Sequence, residues 1–326
     1  MRALIKLFLI VVMAVGGWVA WQVYVPMTPP ANTSLLLHTG YSTRRIAAEL
    51  KKAGVIRSEL AFRLWHAWHR KPSLKAGEYV FERAATLRQV HERIARGDIY
   101  FHVVTIPEGY TMFDIARAME DSGLGSAADF LQVAETQTQL ISDLAPEAKS
   151  LEGYLFPNTY QFTRTQSLEE MAATMVRQFR QVAQQIGLNS EVARIVTMAS
   201  IVEKETATPQ ERPRVASVYY NRLAQKMALD ADPSVIYGEL LTGTYSGSLH
   251  HADMAVNSPY NTYRFPGLPP GPIANPGKGA LEAALHPDST KFLYFVSDGN
   301  GHHRFARSLE EHNRNVVSYR RTLGLR

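Results

Sequence analysis

Apolar and polar positions divide the chain sharply at its start. From Leu7 to Val25 (LFLIVVMAVGGWVAWQVYV) no residue is charged. A run of that length comes close to the roughly 20 residues a helix needs to cross about 30 Å of hydrocarbon. Arg2 and Lys6 precede it, and Trp18, Trp21 and Tyr24 fall at its far end, where interfacial aromatics sit. A cleaved signal peptide is the competing reading, but it needs a shorter apolar core and a small-x-small cleavage site. The tryptophans flanking Val19 and Ala20 spoil that site. The pattern predicts a retained anchor over 7–25, with residues 1–6 as a cytoplasmic tail and everything beyond exported, because basic flanks stay on the cytoplasmic side. Pro26 to Asn32 (PMTPPAN) cannot continue a helix, so 26–33 reads as a spacer.

Beyond the spacer the pattern repeats. Gly40-Tyr41-Ser42 through Gly54 matches Gly109-Tyr110-Thr111 through Gly123, with Ile46, Ala47 and Leu50 falling opposite Ile115, Ala116 and Met119. Each copy predicts a strand (Leu35 to His38; Val103 to Ile106), a tight glycine turn and an amphipathic helix closed by glycine. The first copy runs on through a helical stretch from Leu60 to His69, a short strand from Gly77 to Phe81 and a helix from Leu87 to Ile94. In this order and in its G-x-S/T-x-x-x-I-A pattern the segment 34–102 resembles LysM-type glycan-binding modules. A generic small scaffold is the alternative.

Residues 103–326 then read as one larger domain, with the second repeat-like unit inside 103–149. From Asp129 to Leu188 the pattern is mainly helical, interrupted by an irregular loop from Leu151 to Tyr160. Ser258 to Tyr263 and Gly267 to Gly277 are dense in proline, glycine and asparagine and predict rigid loops, good places for site residues. A short helix from Ala280 to Leu285, a buried strand from Phe292 to Val296, a turn from Ser297 to His303 and a closing helix from Ser308 to Leu323 follow. The fold class is α+β: an N-terminal transmembrane helix, a small LysM-like subdomain and a larger α+β catalytic domain.

Composition changes this picture little. At 326 residues, 45% hydrophobic and 20% charged, the chain is an ordinary folded protein of one large or a few small units. Its net charge of +5 and pI near 9.3 are mild. Part of the basic excess gathers in Arg44, Arg45, Lys51, Lys52, Arg63, Arg70, Lys71 and Lys75. That reads as a solvated helical face, or as attraction to an anionic membrane or a polyanionic wall polymer. Nucleic acid is excluded by the exported location. The absence of cysteine suits an exported domain without deciding it. There is no HExxH, no phosphate-cradling glycine loop and no GxSxG elbow, which leaves carboxylate acid/base chemistry in front.

Glu203 and Glu205 close an apolar helical run, RIVTMASIVEKET from Arg194 to Thr206. Two residues apart on a helix means about 200° of rotation, so only one of them can enter a given cleft. Both flank the apolar stripe equally, and periodicity does not choose between them. Their place near a helix C-terminus predicts a raised pKa through the macrodipole, as a general acid needs; a solvated last turn with Lys204 is the plain alternative. Asp230 and Asp232 are possible second carboxylates or caps for the helix that Pro233 begins. His250, His251 and Asp253, and Asp298, His302 and His303, have metal-ligand side chains but lie in turn-rich segments. No metal and no cofactor is expected.

Several long motifs, met in order, settle the family likeness: Glu152-Gly153-Tyr154-Leu155-Phe156-Pro157, Ala199 to Thr206 (ASIVEKET), Val215 to Leu223 (VASVYYNRL), Asp232 to Gly238 (DPSVIYG), Tyr260-Asn261-Thr262-Tyr263 and Gly267 to Ile273 (GLPPGPI). They are similar to those of the YceG-like family of endolytic murein transglycosylases. The resemblance implies a lyase that cleaves the β-1,4 bond between N-acetylmuramic acid and N-acetylglucosamine inside nascent peptidoglycan strands, leaving a 1,6-anhydromuramyl end. It implies Glu205 as the catalytic acid/base, which breaks the tie. Asn221, Tyr260, Asn261, Tyr263 and Glu203 are expected to position sugars. Asp230-Ala231 stands where the family often has Gln-Thr, so Asp230 carries no family role. The expected location is the cell inner membrane, single-pass, with the catalytic domain periplasmic. Glycan strands, that membrane and peptidoglycan synthases of the elongation or division machinery are the expected partners. Two rivals stand: a hydrolytic muramidase using Glu205 with Asp232, and a non-catalytic wall-binding scaffold.

Overall fold

Helix α1 (Arg2–Tyr24) covers the apolar N-terminal run in a computed structural model that describes residues 2–69 and 73–323. Among the described residues it is the one helix long and apolar enough to cross a membrane. Arg70 and Lys71 of the basic segment lie outside the described residues. The chain separates into two units, residues 1–103 with 161–167, and residues 104–160 with 168–326.

In the first unit, β1 (Thr33–Leu37), α2 (Thr43–Lys52), α3 (Glu59–Trp68), β2 (Gly77–Phe81) and α4 (Leu87–Arg96) follow one another. β1 and β2 are antiparallel, with Thr33 opposite Phe81 and Leu37 opposite Gly77. Each helix starts where the sequence supplies a cap: the side chains of Ser42, Ser58 and Thr86 accept from the backbone N–H three residues on. Leu37, Ile46, Leu50, Phe62, Tyr79 and Ile94 fill the core between the two-stranded sheet and the helices. The proline-rich spacer is tied to this unit through Met27, whose N–H and C=O both bond Ala85 (2.9 and 3.0 Å).

β3 (His102–Thr105) pairs with β4 (Thr159–Phe162), and the unit boundary falls within both strands. The second unit is mainly helical. α5 (Met112–Asp121) opens on a capping box of Thr111 and Asp114, and buries the repeat positions Ile115, Ala116 and Met119 just as α2 buries Ile46, Ala47 and Leu50. α6 (Ala127–Thr136), α7 (Leu168–Gln185), α8 (Val192–Glu205), α9 (Arg212–Ala224), α10 (Asp232–Thr242) and α11 (Lys278–Leu285) follow. α8 is buried continuously from Ile195 to Val202 and lies against α9, α10 and α11. It is hydrophobic nearly all round because it is wrapped on several sides.

Two short strands depart from the sequence reading. β4 falls inside the stretch read as loop and helix; its four residues alternate exposed and buried, too short a run for the period to register. β5 (Tyr294–Ser297) is half-buried rather than buried, since it belongs to a hairpin with β6 (His303–Ala306) and α12 (Leu309–Thr322) covers it. The predicted turn thus ends in a second strand.

Candidate active site

The last turns of α8 hold two faces. On one, Ser200 and Glu203 sit about one turn apart and fasten the proline-rich loop. The Ile273 N–H donates to Ser200 Oγ (3.0 Å) and the Gly277 N–H to Glu203 Oε2 (2.9 Å), while Arg212 Nη2 reaches Glu203 Oε1 at 2.7 Å. Burial raises the Glu203 pKa against the pull of Gly277 and Arg212. Gly153 packs under the same loop with φ +89°, and a Cβ there would lie 2.5 Å from Pro272 Cγ. That close approach explains why glycine follows Glu152.

Glu205 points the other way, into a pocket of about 290 Å³ that it shares with Tyr219, Arg222, Asp232, Tyr263 and His312. Burial is the main cause that lifts its pKa to about 7; the Tyr219 hydroxyl bonded to it opposes this, Asp232 adds to it and Arg222 opposes it. The helix dipole expected from the sequence is therefore not the leading cause. Tyr219 comes from the buried face of α9, and its own pKa is pushed well up by burial and by Glu205.

Arg222, one turn further along α9, donates Nε to Leu293 O (2.7 Å) and Nη1 to Ala228 O (3.1 Å), Leu229 O (3.0 Å) and Asp230 Oδ2 (2.9 Å). It thereby fixes the turn that leads into α10. Thr262 completes that turn: its Oγ1 accepts from the Ala231 N–H (3.0 Å) and shares a bond with Ser234 Oγ (2.9 Å). Asp232 is left facing the pocket, where the Tyr263 hydroxyl donates to its Oδ1 at 2.5 Å. His312 closes the wall from α12, stacked on Tyr294 with ring centroids 5.2 Å apart; burial first and the Arg222 cation second hold its imidazole below the usual range.

Of the residues the sequence nominates, Glu205 and Tyr263 share this pocket, with Asp230 and Asp232 beside them. Glu203 is on the opposite face. Asn221 spends its amide on Thr290 O (3.0 Å) and Phe292 O (2.9 Å). Asn261 is fully buried and donates to Met254 O (3.0 Å) and Val256 O (2.8 Å). Tyr260 packs its ring 5.0 Å from that of Tyr237. The sequence reading does not single out Tyr219, Arg222 or His312. The i, i+3 spacing of Tyr219 and Arg222 in VYYNRL could have signalled a shared face; nothing local marks His312. Glu211 accepts the contacts of His302 Nδ1 (3.2 Å) and His303 Nδ1 (2.7 Å), and the His250 N–H bonds Asp253. Among the described residues no group of three or more His, Asp or Glu could hold a metal ion.

A second hollow of about 660 Å³ is lined by Arg117, Lys204, Pro233, Tyr237 and Tyr245, among others. Lys204 and Pro233 are chain neighbours of Glu205 and Asp232, so the two hollows flank the same two helix ends.

The sequence profile of the YceG-like family matches residues 35–318. An endolytic murein transglycosylase of Bacillus subtilis is 33% identical over 317 residues, covering 90% of this chain and 87% of the relative. A protein of the same name from Streptococcus pneumoniae is 28% identical, over 96% of this chain but only 64% of its own length. The crystal structure of a YceG-like protein of Listeria monocytogenes superposes with a TM-score of 0.57 at 32% identity, covering 86% of this chain and 97% of that one. A family match over most of the chain, from β1 into α12, together with a relative a third identical along nearly its whole length, makes this chain a member of the YceG-like family.

Proposed function

We propose that the chain is a membrane-anchored lytic transglycosylase that cuts the β-1,4 bond between N-acetylmuramic acid and N-acetylglucosamine within nascent peptidoglycan strands. The observation that carries this reading is Glu205: a half-buried carboxyl lining a polar pocket, its pKa raised by burial to about 7, in a chain whose relatives are named endolytic murein transglycosylases.

A single carboxyl suffices for the proton balance. Protonated Glu205 donates to the oxygen of the leaving N-acetylglucosamine as the C1–O bond breaks. Its carboxylate then takes the proton from the muramyl C6 hydroxyl as that oxygen bonds C1, closing the 1,6-anhydro ring without water. The Tyr219 hydroxyl orients the carboxyl through both steps. In this reading the Asp232 side chain, held by Tyr263 in the same pocket, offsets the positive charge that develops at C1. For a cut inside a strand the polymer must continue past the pocket on both sides, and the hollow beside Lys204 offers one such path.

The pH dependence follows from the sign of the shift. Glu205 is protonated below about 7, so the rate is full on the acid side and falls as pH rises through about 7, by about tenfold per unit. Asp232→Asn removes one cause that raises the pKa. The alkaline limb of kcat/KM then moves to lower pH while cleavage persists. Presence of Asp232 in the pocket is also the observation that favours a hydrolytic muramidase, in which a second carboxylate activates water. Mass spectrometry of strands digested by the wild type separates the two: anhydro ends are one water lighter than hydrolytic ones. Reducing ends as the sole products would overturn the transglycosylase reading.

The segment 34–102 is proposed as a LysM-like glycan-binding module and 103–326 as the catalytic domain. A strand–helix–helix–strand order with antiparallel outer strands supports the former. With α1 in the cell inner membrane, residues 1–6 cytoplasmic and the remainder periplasmic, the site works close to the membrane where synthases of the elongation or division machinery extrude new strands.

A further inference from the structure

Helix α3 carries an exposed apolar stripe. Its inner face buries Ala61 and Phe62, whereas Leu60, Leu64 and Trp68 recur every fourth residue on the outside and are 53%, 51% and 85% exposed. One exposed leucine on a helix is ordinary; a full stripe ending in a nearly bare tryptophan marks a contact surface.

The stripe lies beside the outer end of α1. Trp65 meets Tyr24 edge-on with ring centroids 5.9 Å apart, and Gly16 and Val19 line one apolar groove together with Leu64 and Trp68. Just before α3, Arg57 locks the junction: its two Nη atoms donate to Val25 O (2.7 Å) and Pro26 O (2.6 Å), and its guanidinium lies 4.9 Å over the Trp21 ring. At about 1.5 Å of rise per residue, Gly16 lies about 12 Å along the helix from Tyr24. A helix that shares this groove with Gly16 at one end and is held at Pro26 at the other reaches from the headgroup level into the acyl boundary, if α1 spans the bilayer with Trp21 and Tyr24 in the interface.

We propose that α3 is a second membrane-contacting element, lying at the outer boundary of the bilayer beside α1 with Leu60, Leu64 and Trp68 seated in lipid. This rests on the reading of α1 as a membrane span. The bilayer is the occupant the surroundings select, because the stripe shares an apolar groove with the lipid-facing surface of α1 and because Arg63, exposed on the flank of the stripe, suits anionic headgroups. Amphipathic helices of this kind bury their apolar face about 5–10 Å into that boundary. The consequence is that the first unit is held against the membrane surface instead of swinging on its spacer, and presents its two-stranded sheet at a fixed height to emerging glycan.

The chain has no cysteine, so a single introduced one carries a unique label. Full-length Leu64→Cys, Trp68→Cys, Val12→Cys and Thr39→Cys, each labelled with an environment-sensitive fluorophore, are reconstituted into nanodiscs of phosphatidylcholine and phosphatidylglycerol. Labels at 64, 68 and 12 are expected to shift to the blue and lose most of their emission to a nitroxide-bearing lipid. The label at Thr39, exposed just past β1, answers to aqueous iodide instead. Lipid quenching at 12 with iodide quenching at 64 and 68 overturns the proposal while the anchor stands; iodide quenching at 12 brings down the anchor itself. Labels at 64 and 68 shielded from both quenchers and close enough to transfer energy between copies show a second chain on the stripe, which also overturns it.

Discussion

Glu205→Gln yields a folded protein that cuts uncrosslinked glycan strands about 10²–10⁴-fold more slowly than the wild type. Glutamine keeps the shape of the side chain and an oxygen able to accept from the Tyr219 hydroxyl, but it neither gives nor takes back the proton on which both bond changes depend. Folding is expected to survive for a physical reason. Above about pH 7 the wild type holds an ionised carboxylate where burial disfavours it, and the amide removes that penalty, so the variant's Tm at pH 8 is no lower than that of the wild type. Product release followed by liquid chromatography, with melting curves at pH 6 and pH 8, tests both halves. A variant that melts normally and still cleaves at the wild-type rate removes Glu205 from the mechanism. A variant that melts normally, does not cleave and yet retains the cellular effect favours the scaffold reading over the enzyme.

How much of this was legible in the sequence depends on distance along the chain. The helices that carry strong 3.6-residue periods, α2 and α5, are where the apolar pattern puts them, with Ser42 and Thr111 as their visible caps, and the apolar run of α8 is helical as expected. β4 and β6 were not visible, since four residues with one covered face hardly differ from a turn in composition. The tie between Glu203 and Glu205 illustrates the limit. Periodicity shows that the two diverge, but what separates them is a loop from far along the chain: Ile273 on Ser200 and Gly277 on Glu203 close one face, and the other is left to the pocket. Likewise the helix end alone predicts a raised pKa for Glu205, while the leading cause is burial, a property of tertiary packing. His312 arrives from the last helix through its stacking on Tyr294, and no spacing announces it.

The motifs that carried the family likeness turn out to differ in kind. VYYNRL contributes the pocket wall through Tyr219 and Arg222, but Asn221 between them braces the strand segment near Thr290 and Phe292. NTY contributes Tyr263 to the pocket, whereas Asn261 and Thr262 are spent on holding the turn and α10. A motif is thus a mixture of chemistry and bracing, and the hydrogen-bond partners of each side chain sort one from the other.

Asn275→Ala is expected to destabilise the second unit by at least about 3 kcal/mol, since it strands several buried partners at once. Asn275 is fully buried. Its Oδ1 accepts from the N–H groups of Gly153 and Leu155 (both 2.9 Å), and its Nδ2 donates to Tyr110 O (2.9 Å) and Glu152 Oε1 (2.6 Å). One amide thus clamps the EGYLFP loop, the turn before α5 and the proline-rich loop together, and alanine offers none of these bonds. A fall in Tm of about 6–12 °C follows for a unit of this size, read by calorimetry on the full chain. Asn275→Asp sharpens the test through its sign. Burial lifts the Glu152 pKa to about 8, so in the wild type this group's contribution to stability is greatest below its ordinary value of 4.5 and declines as pH rises toward about 8. A second carboxyl against Glu152 steepens that decline, because two buried acids then compete to stay protonated with one donor fewer between them. The deficit of Asn275→Asp relative to the wild type therefore widens from pH 5 to pH 8, while that of Asn275→Ala changes far less over the same range. A deficit for Asn275→Ala below about 1 kcal/mol, the net worth of one ordinary hydrogen bond, would mean that the three segments are held by packing and not by this amide.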